Sequence, residues 1–239
     1  MPSMHAPGWY GKLPSLGDFA SRRVDDDFLQ AWDGWLAHDL AGWRSSDPQG
    51  WLQRYLRASS CLFLAVPGAL GHPHGALAGV LTPSVDRVGR YFPLTLHAAL
   101  PRLPRDEEEC ADLLGWLLEL DDVAVQALQD DWPIPRLEDE LLGRAPGAPS
   151  WCGGASRAAD AAGPQPGPAA ADAPTRWARQ WTADREAQPC DQRIWWFGTD
   201  DDGSARLRGS QGLEPDWLPA LLGAHVTDDP AGATAADGC

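Results

Sequence analysis

The sequence predicts an α+β (mixed α/β) fold in which helices flank one central, largely antiparallel sheet. Short apolar runs bounded by glycine and proline alternate with two long segments of helical periodicity. Near the end, RIWWFGTDDDGSARLRG reads as an apolar strand, an Asp-Gly turn and a partner strand, which is a hairpin pattern. With 239 residues, 44% of them hydrophobic and 13 of them tryptophan, the chain can bury a large core.

Five segments before this hairpin are predicted to be extended. Two of them flank PSLGD, whose proline, glycine and aspartate favour a tight turn. The segments are Gly8–Leu13, Phe19–Val24, Cys61–Pro67, Ala76–Leu81 and Tyr91–Leu100. Because Pro93 cannot donate a ladder hydrogen bond, we expect the last of them near an edge of the sheet.

Helices are predicted where apolar residues recur at helical spacing. The segment DDDFLQAWDGWLAHDLAGW begins with acids that suit a helix N-terminus, and it places Trp32, Trp35 and Trp43 on one face. Short helices are predicted at Trp51–Arg57 and within PDWLPALLG. Trp32, Trp35 and Trp43 are expected to be core residues.

The clearest helical segment is DEEECADLLGWLLELDDVAVQALQDD. Asp106 and Glu109 have the spacing of a capping box, and leucines and valines form the apolar stripe. The paired Asp121 and Asp122 allow a break into two helices at that point.

The domain organisation follows from a change in composition. Residues 1–142 are predicted to form the core domain, and residues 143–175, rich in alanine, glycine and proline, a flexible excursion. Residues 176–223 then supply the hairpin and closing helix that complete the same domain, and residues 224–239 form a disordered tail.

Charge, the absence of a signal peptide and cysteine usage limit the partners and the cellular location that we expect for this protein. The chain has 34 acidic against 19 basic residues and a net charge of −15, which disfavours nucleic acid and anionic membrane surfaces as partners. There is no signal-peptide pattern, and the apolar runs are too short to span a membrane. Five widely spaced cysteines indicate neither a disulfide framework nor a zinc site. We therefore expect a soluble, cytoplasmic protein without membrane insertion.

No catalytic or metal-binding pattern stands out. The phosphate-binding G-x-x-x-x-G-K-[ST], the dinucleotide G-x-G-x-x-G and the hydrolase G-x-S-x-G patterns are missing from the sequence. TDDDGS resembles part of a calcium loop, but Gly198 and Gly209 stand where carboxylates are needed. His72 and His74 could share a metal, yet no third ligand is near in sequence. We predict no catalytic residue, no metal and no cofactor.

Trp195 and Trp196 are adjacent in a predicted strand and must point to opposite faces. One of them is then either covered by a helix or the excursion, or exposed as a hot spot for a partner.

The stretch TPSVDRVGRYFPL places three charges between two apolar runs. Arg87 and Arg90 carry planar guanidinium forks that suit carboxylate or phosphate. In the structural interpretation, Asp86 caps a turn and an arginine reaches Asp18 or another acid. In the functional one, the arginines bind a partner. The residues alone favour the structural interpretation, since arginine–acid contacts are common and binding sites are few.

Several motifs together resemble the TagF (ImpM) family of type VI secretion accessory proteins. They are GWYGKLPSLGDFASRRV, FLQAWDGWLAHDL, GVLTPSVDRVGRYFPLTL, RIWWFG and PDWLPALLG, and they span most of Gly8–Gly223 in order. The resemblance implies a longin-like α/β fold and a cytoplasmic, non-enzymatic regulator. Such a protein represses secretion after translation, in part by binding the forkhead-associated scaffold protein. Some relatives carry a fused phosphatase domain, which we do not expect here because no length remains after Gly223.

Two loops carry the most specific motifs, and we hypothesise that they meet at one end of the sheet. Asp18 and Asp86 would then orient Arg87 and Arg90. The candidate partner-binding residues are Lys12, Asp18, Phe19, Asp86, Arg87 and Arg90. Two alternatives stay open: an enzyme that binds a phosphate group through Arg87 and Arg90, and a structural subunit of the secretion apparatus.

Overall fold

The computed structural model describes residues 6–72, 75–145, 148–152, 172–187, 191–200 and 204–222. The strands are β1 (Gly8–Gly11), β2 (Ala20–Arg22), β3 (Cys61–Ala65), β4 (Ala76–Thr82), β5 (Leu94–Leu100), β6 (Arg193–Thr199) and β7 (Ala205–Gln211). The helices are α1 (Asp26–Ser46), α2 (Trp51–Arg57), α3 (Glu107–Gln129), α4 (Ile134–Arg144), α5 (Ala173–Ala187) and α6 (Leu218–Leu221), with a 3-10 turn at Ser150–Cys152.

The strands form one sheet in the order β2-β1-β5-β4-β3-β6-β7. Every neighbouring pair is antiparallel. The predicted fold class, a central antiparallel sheet flanked by helices, is therefore confirmed. The predicted hairpin is β6 and β7, and β6 pairs with β3 so that the hairpin extends the sheet. Its turn, residues 201–203, lies outside the described residues.

Helices cover both faces of the sheet. Apolar residues of α3, α4 and α5 pack on one face, and those of α1, α2 and α6 on the other. Alternate residues of β3 divide between the two cores: Leu62 and Leu64 join the first, Phe63 and Ala65 the second. Such a two-sided core explains why the central strands are almost continuously apolar.

The adjacent tryptophans of β6 do point to opposite faces, and both are buried. Trp195 meets Trp181 of α5 with ring centroids 5.8 Å apart. Trp196 lies 5.5 Å from Trp35 and 6.0 Å from Trp32 of α1. Helices therefore cover the pair, and the alternative of an exposed tryptophan is wrong.

Two other expectations are corrected. The strand β5 lies between β1 and β4, so its predicted place near an edge is wrong. The strand begins at Leu94, and Pro93 stands just outside it, where no ladder donor is required. The helix α3 runs unbroken through Asp121 and Asp122. Half of its predicted capping box is present: the Asp106 carboxylate accepts a hydrogen bond from the Glu109 N–H at 2.9 Å, whereas the Glu109 carboxylate accepts from the Arg105 N–H at 2.8 Å.

The helices α4 and α5 were not predicted, and both overlap the ends of segment 143–175. Ala173, at the start of α5, is buried in the core together with Trp177 and Trp181 of the same helix, so the end of this segment belongs to the core. Residues 153–171 of the predicted excursion and the whole of the predicted tail lie outside the described residues. Within the part of the chain that the structure describes, no helix is both long and apolar enough to cross a membrane.

Candidate functional site

The candidate site is formed by two loops at one end of the sheet. The first loop (Lys12–Phe19) connects β1 to β2, and the second loop (Pro83–Pro93) connects β4 to β5. Because β1 and β5 are antiparallel neighbours, with Tyr10 opposite Thr95, the end of β1 lies beside the start of β5. The structure thus brings the two loops together, as hypothesised from the sequence.

Gly11 fixes how closely the loops approach each other. Its φ is +138°, which disfavours any residue with a side chain. A Cβ at this position would lie 2.2 Å from the carbonyl oxygen of Pro93. The backbone at the end of β1 therefore packs directly on the backbone at the end of the second loop.

The second loop is a small hairpin. Val85 and Tyr91 form an isolated antiparallel bridge. The Asp86 N–H donates to the Arg90 carbonyl at 3.1 Å, and Gly89 turns the chain at the tip with a φ of +83°. The loop therefore has regular backbone hydrogen bonding of its own.

Asp86 is the buried acceptor around which this hairpin is built. One of its carboxylate oxygens accepts from Lys12 Nζ at 2.6 Å and from Arg90 Nε at 2.7 Å. The other accepts from the backbone N–H groups of Val88 at 3.0 Å and of Arg90 at 2.9 Å. Burial alone would raise the pKa of Asp86, but these hydrogen bonds outweigh it and hold the pKa well below its usual range. The carboxylate is therefore a permanent charge that joins the two loops.

Three further hydrogen bonds cross between the loops. Ser84 Oγ donates to the Lys12 carbonyl at 2.7 Å. The Arg87 N–H donates to the Leu16 carbonyl at 2.9 Å, and Arg90 Nη2 donates to the Gly17 carbonyl. These contacts give the pair of loops one shape.

Tyr55 of α2 supports the second loop from beneath. Its hydroxyl donates to the Ser84 carbonyl and accepts from the Ser84 N–H, both at 2.9 Å. Burial raises the pKa of Tyr55 far above its ordinary value, so the hydroxyl keeps its proton. The start of the second loop is thus anchored to a helix as well as to the first loop.

An aromatic cluster lies at the junction. The Lys12 ammonium lies 4.4 Å from the centre of the Phe19 ring. Phe19 stacks on Tyr10, with centroids 5.8 Å apart, and meets the edge of Phe92 at 4.8 Å. Phe19 nevertheless keeps 42% of its surface exposed.

The outer surface of the site combines apolar and basic groups. The structure leaves four large hydrophobic side chains exposed among the described residues, and two of them, Phe19 and Val88, lie in these loops. The Arg87 guanidinium is exposed and forms no hydrogen bond or ion pair with any described residue. Arg90 is half exposed, and its Nη2 lies 4.0 Å from the carboxylate of Asp18, which extends into solvent.

The predicted site residues therefore divide into two groups. Lys12 and Asp86 are buried, and they hold the loops together. The other four face solvent: Asp18, Phe19, Arg87 and Arg90. Sequence reasoning missed two further residues of the site: Val88, which exposes an apolar side chain, and Tyr55, which supports the second loop through Ser84. Val88 carried a signal, an apolar residue between charges in DRVGR, whereas nothing in the sequence around Tyr55 marks its contact with Ser84.

One cluster elsewhere has the spacing of metal ligands. Ligand atoms of His38, Asp39 and Asp216 lie within 4.8 Å of one another. Asp39, however, accepts the backbone N–H groups of Asp216, Trp217 and Leu218 at 2.9–3.0 Å, so its oxygens already cap the start of α6. Of the two histidines considered for a metal in the sequence, His74 lies outside the described residues.

Comparison with known proteins gives the class and the family. A family model of a type VI secretion system-associated domain matches residues 8–143, more than half of the chain, so this is a type VI secretion-associated protein. The model describes the TagF N-terminal domain, and the chain belongs to the TagF family. Both loops lie inside the matched segment.

A solved structure is similar over most of its length. It is the crystal structure of PA0076 from Pseudomonas aeruginosa PAO1, which is 30% identical in sequence and has a TM-score of 0.65. The alignment covers 92% of this chain and 94% of that one. A search of curated proteins finds no match.

Proposed function

We propose that the protein is a cytoplasmic repressor of type VI secretion that acts after translation by binding the forkhead-associated scaffold protein of the system. It catalyses no reaction in this role. The observation that carries the proposal is the composite surface of the two loops. It has one fixed shape, and it exposes the aromatic ring of Phe19 and the Arg87 guanidinium, which is unpaired among the described residues; aromatic residues and arginine are enriched at protein–protein interfaces.

The chemistry of the site favours binding over catalysis. A general acid or base works best with a pKa near the operating pH, whereas the pKa of Asp86 is held far below that by its cationic partners. Asp86 and the ammonium that it accepts from, Lys12, are also buried and out of reach of a substrate. These two charged groups hold the two loops together.

The alternative of an enzyme that grips a phosphate group through Arg87 and Arg90 has weaker support. Arg90 already uses Nε on Asp86 and Nη2 on the Gly17 carbonyl. Two of the three guanidinium nitrogens of Arg90 are thus engaged, so Arg90 offers a phosphate fewer donors than Arg87 does. We therefore treat the arginines as parts of a binding surface.

The test has a biochemical and a cellular part. The purified chain is titrated against the purified full-length scaffold protein of its own system, and secretion is measured in cells with and without the gene. We expect direct binding and increased secretion on deletion. Absence of binding together with unchanged secretion contradicts the proposal, and stable copurification with assembled secretion particles supports the structural-subunit alternative instead.

A further inference from the structure

We infer that the two-loop surface receives an acidic side chain of the partner on Arg87, with an apolar partner residue seated between Phe19 and Val88. This inference rests on the proposed function and specifies the contact through which it operates. The occupant is a protein segment in which a single aspartate or glutamate stands beside an apolar residue.

Arg87 is placed to act as the anchor. Its backbone N–H is fixed to the Leu16 carbonyl at 2.9 Å, so the base of the side chain is held. Its guanidinium, in contrast, forms no hydrogen bond or ion pair with the described part of the chain. A planar fork of donors on a fixed backbone matches a carboxylate in a bidentate contact.

Arg90 has a different role, that of a positioning residue. Its Nε contacts Asp86 at 2.7 Å and its Nη2 donates to the Gly17 carbonyl, so it links the two loops. These contacts leave Arg87 as the free cation of the pair. A doubly charged phosphate would face only one free guanidinium and the exposed carboxylate of Asp18, whereas one carboxylate is balanced by one guanidinium.

The apolar component has two parts that the core does not use. Val88 is 63% exposed and Phe19 is 42% exposed, and among the large hydrophobic residues of the described chain only Leu56 and Leu142 are exposed as well. Val88 directly follows Arg87, and Phe19 lies on the loop that accepts the Arg87 N–H. Aromatic residues and arginine are enriched at interface centres, and Val88 adds exposed apolar surface beside them.

The charge of the two loops and of the whole chain explains why we expect a single acidic residue in the partner segment and not a run of them. The two loops contribute the cations Lys12, Arg87 and Arg90 and the anions Asp18 and Asp86, a balance of +1, in a chain of net charge −15. One further cation, Arg44 of α1, donates to the Tyr91 carbonyl of the second loop at 3.1 Å. Screening confines this local attraction to roughly 8 Å at physiological salt. A run of acids would extend beyond that range and meet the negative remainder of the chain, whereas one acid among apolar residues would not.

The surface is also organised before binding. The buried Lys12–Asp86 pair and the bonds from Asp86 to the Val88 and Arg90 N–H groups fix the hairpin on which Arg87 stands. Little loop ordering then remains to oppose association. Loss of Arg87 should therefore remove a contact without changing the loop.

The experiment measures the affinity of the purified full-length chain for the purified scaffold protein. The variants are Arg87→Ala, Arg87→Glu and Val88→Asp, all at exposed positions. The matched controls are Arg179→Ala on α5 and Leu142→Asp on α4, an exposed arginine and an exposed leucine outside the two loops. We expect Arg87→Ala to weaken binding by about 10-fold or more, with Arg87→Glu and Val88→Asp weaker still. The controls should stay within about 2-fold of the unmodified chain.

The results separate the inference from the proposed function. If the unmodified chain does not bind the scaffold, the proposed function fails and this inference fails with it. If the unmodified chain binds and Arg87→Glu and Val88→Asp bind equally well, the proposed function stands and the contact surface is wrong. Urea unfolding of each variant verifies that the fold is retained.

A photo-crosslinking residue placed at position 88 identifies the partner segment. We expect a segment with one carboxylate beside an apolar residue, and reversal of that acid to arginine should restore binding to the Arg87→Glu variant. A cross-linked segment without a carboxylate, or a complex that phosphatase treatment of the scaffold abolishes, would overturn the inference.

Discussion

Asp86 and His97 are both buried and titratable, and the fold treats them in opposite ways. Burial alone would raise the pKa of Asp86, but the hydrogen bonds from Lys12 and Arg90 outweigh it and favour the charged form. Burial lowers the pKa of His97 to about 4, with further lowering from the charges of His72 and Arg23, so the neutral form is favoured. Both pKa values are depressed, one because charge is stabilised and the other because charge is excluded.

The surroundings explain the difference. His97 lies on β5 between Gly8 of β1 and Gly79 of β4, and its ring is 4.9 Å from Phe28. Neither ring nitrogen has a hydrogen-bond partner among the described residues. Asp86, in contrast, accepts four hydrogen bonds at the base of an exposed loop. Of these two residues, the charged one is found where hydrogen bonds from two loops converge, and the neutral one lies in the sheet where no donor or acceptor of the described chain reaches its ring.

The largest effect is expected from removing the centre of the loop site. Asp86→Ala leaves the Lys12 ammonium buried without its counter-charge, which costs about 3–5 kcal/mol of the free energy of unfolding. Urea denaturation followed by tryptophan fluorescence measures the loss.

A double variant shows whether the pair provides stability or shape. Lys12→Met with Asp86→Leu removes the buried ammonium together with its buried counter-charge and leaves only the half-exposed Arg90 and two loop N–H groups without their acceptor. Its loss of stability should therefore be about 1–2 kcal/mol, smaller than that of Asp86→Ala. Scaffold binding should nevertheless weaken, because Arg90 and the Val88 N–H lose their acceptor. A double variant as unstable as Asp86→Ala would show that the pair itself stabilises the fold.

The next effect depends on pH. The pKa of His97 falls from 6.5 in the unfolded chain to about 4 in the folded protein, because the fold favours the neutral ring. The stability that the neutral ring contributes is therefore fully present above pH 6.5 and is lost as the pH falls towards 4. The loss attributable to His97 amounts to about 3 kcal/mol. The His97→Leu variant lacks this loss. The unfolding free energy of the variant minus that of the unmodified chain should therefore increase by this amount as the pH falls from 6.5 to 4.

The measurement is the difference in unfolding free energy between the two proteins across that range. Other titrating groups, such as Asp121, whose pKa burial raises to about 6, affect both proteins alike and cancel. A constant difference between His97→Leu and the unmodified chain would show that the ring is accessible to protons without cost.

A smaller effect tests the contact between the loop backbones. Gly11→Ala places a Cβ 2.2 Å from the Pro93 carbonyl oxygen at a φ of +138°, and the strain should cost about 2 kcal/mol. Gly68→Ala is the control, since its φ is also positive, +86°, while a Cβ there meets no atom within 4 Å. Equal losses in unfolding free energy for the two variants would mean that the close approach of the loops adds nothing beyond backbone strain.

Much of the fold was predictable because it follows from periodicity. The helix at Trp51–Arg57 has its predicted bounds, and the hairpin of β6 and β7 follows from its apolar runs and Asp-Gly turn. The helix α5 was missed because it begins within the alanine- and proline-rich composition of the preceding segment, and only Trp177 and Trp181 mark its apolar face.

The candidate site was less accessible to sequence reasoning. The motifs indicated that the two loops belong together, but a lysine is ordinarily exposed, and nothing in the sequence shows that Lys12 is buried against Asp86. The division of the arginines, with Arg90 committed and Arg87 free, depends on the path of the loop backbone. Tertiary contacts of this kind leave no periodic signal.

The smallest effect on stability is expected at the exposed edge of the site. Phe19→Ala removes a ring that stacks on Tyr10 and lies against the Lys12 ammonium, but Phe19 is already 42% exposed to solvent. The loss in unfolding free energy should be about 1 kcal/mol, well below that of Asp86→Ala. Binding to the scaffold should weaken by more than this loss accounts for, because the exposed part of the ring belongs to the proposed contact surface. If stability falls as far as in Asp86→Ala, Phe19 is a core residue, and the division between a buried frame and an exposed recognition surface must be redrawn.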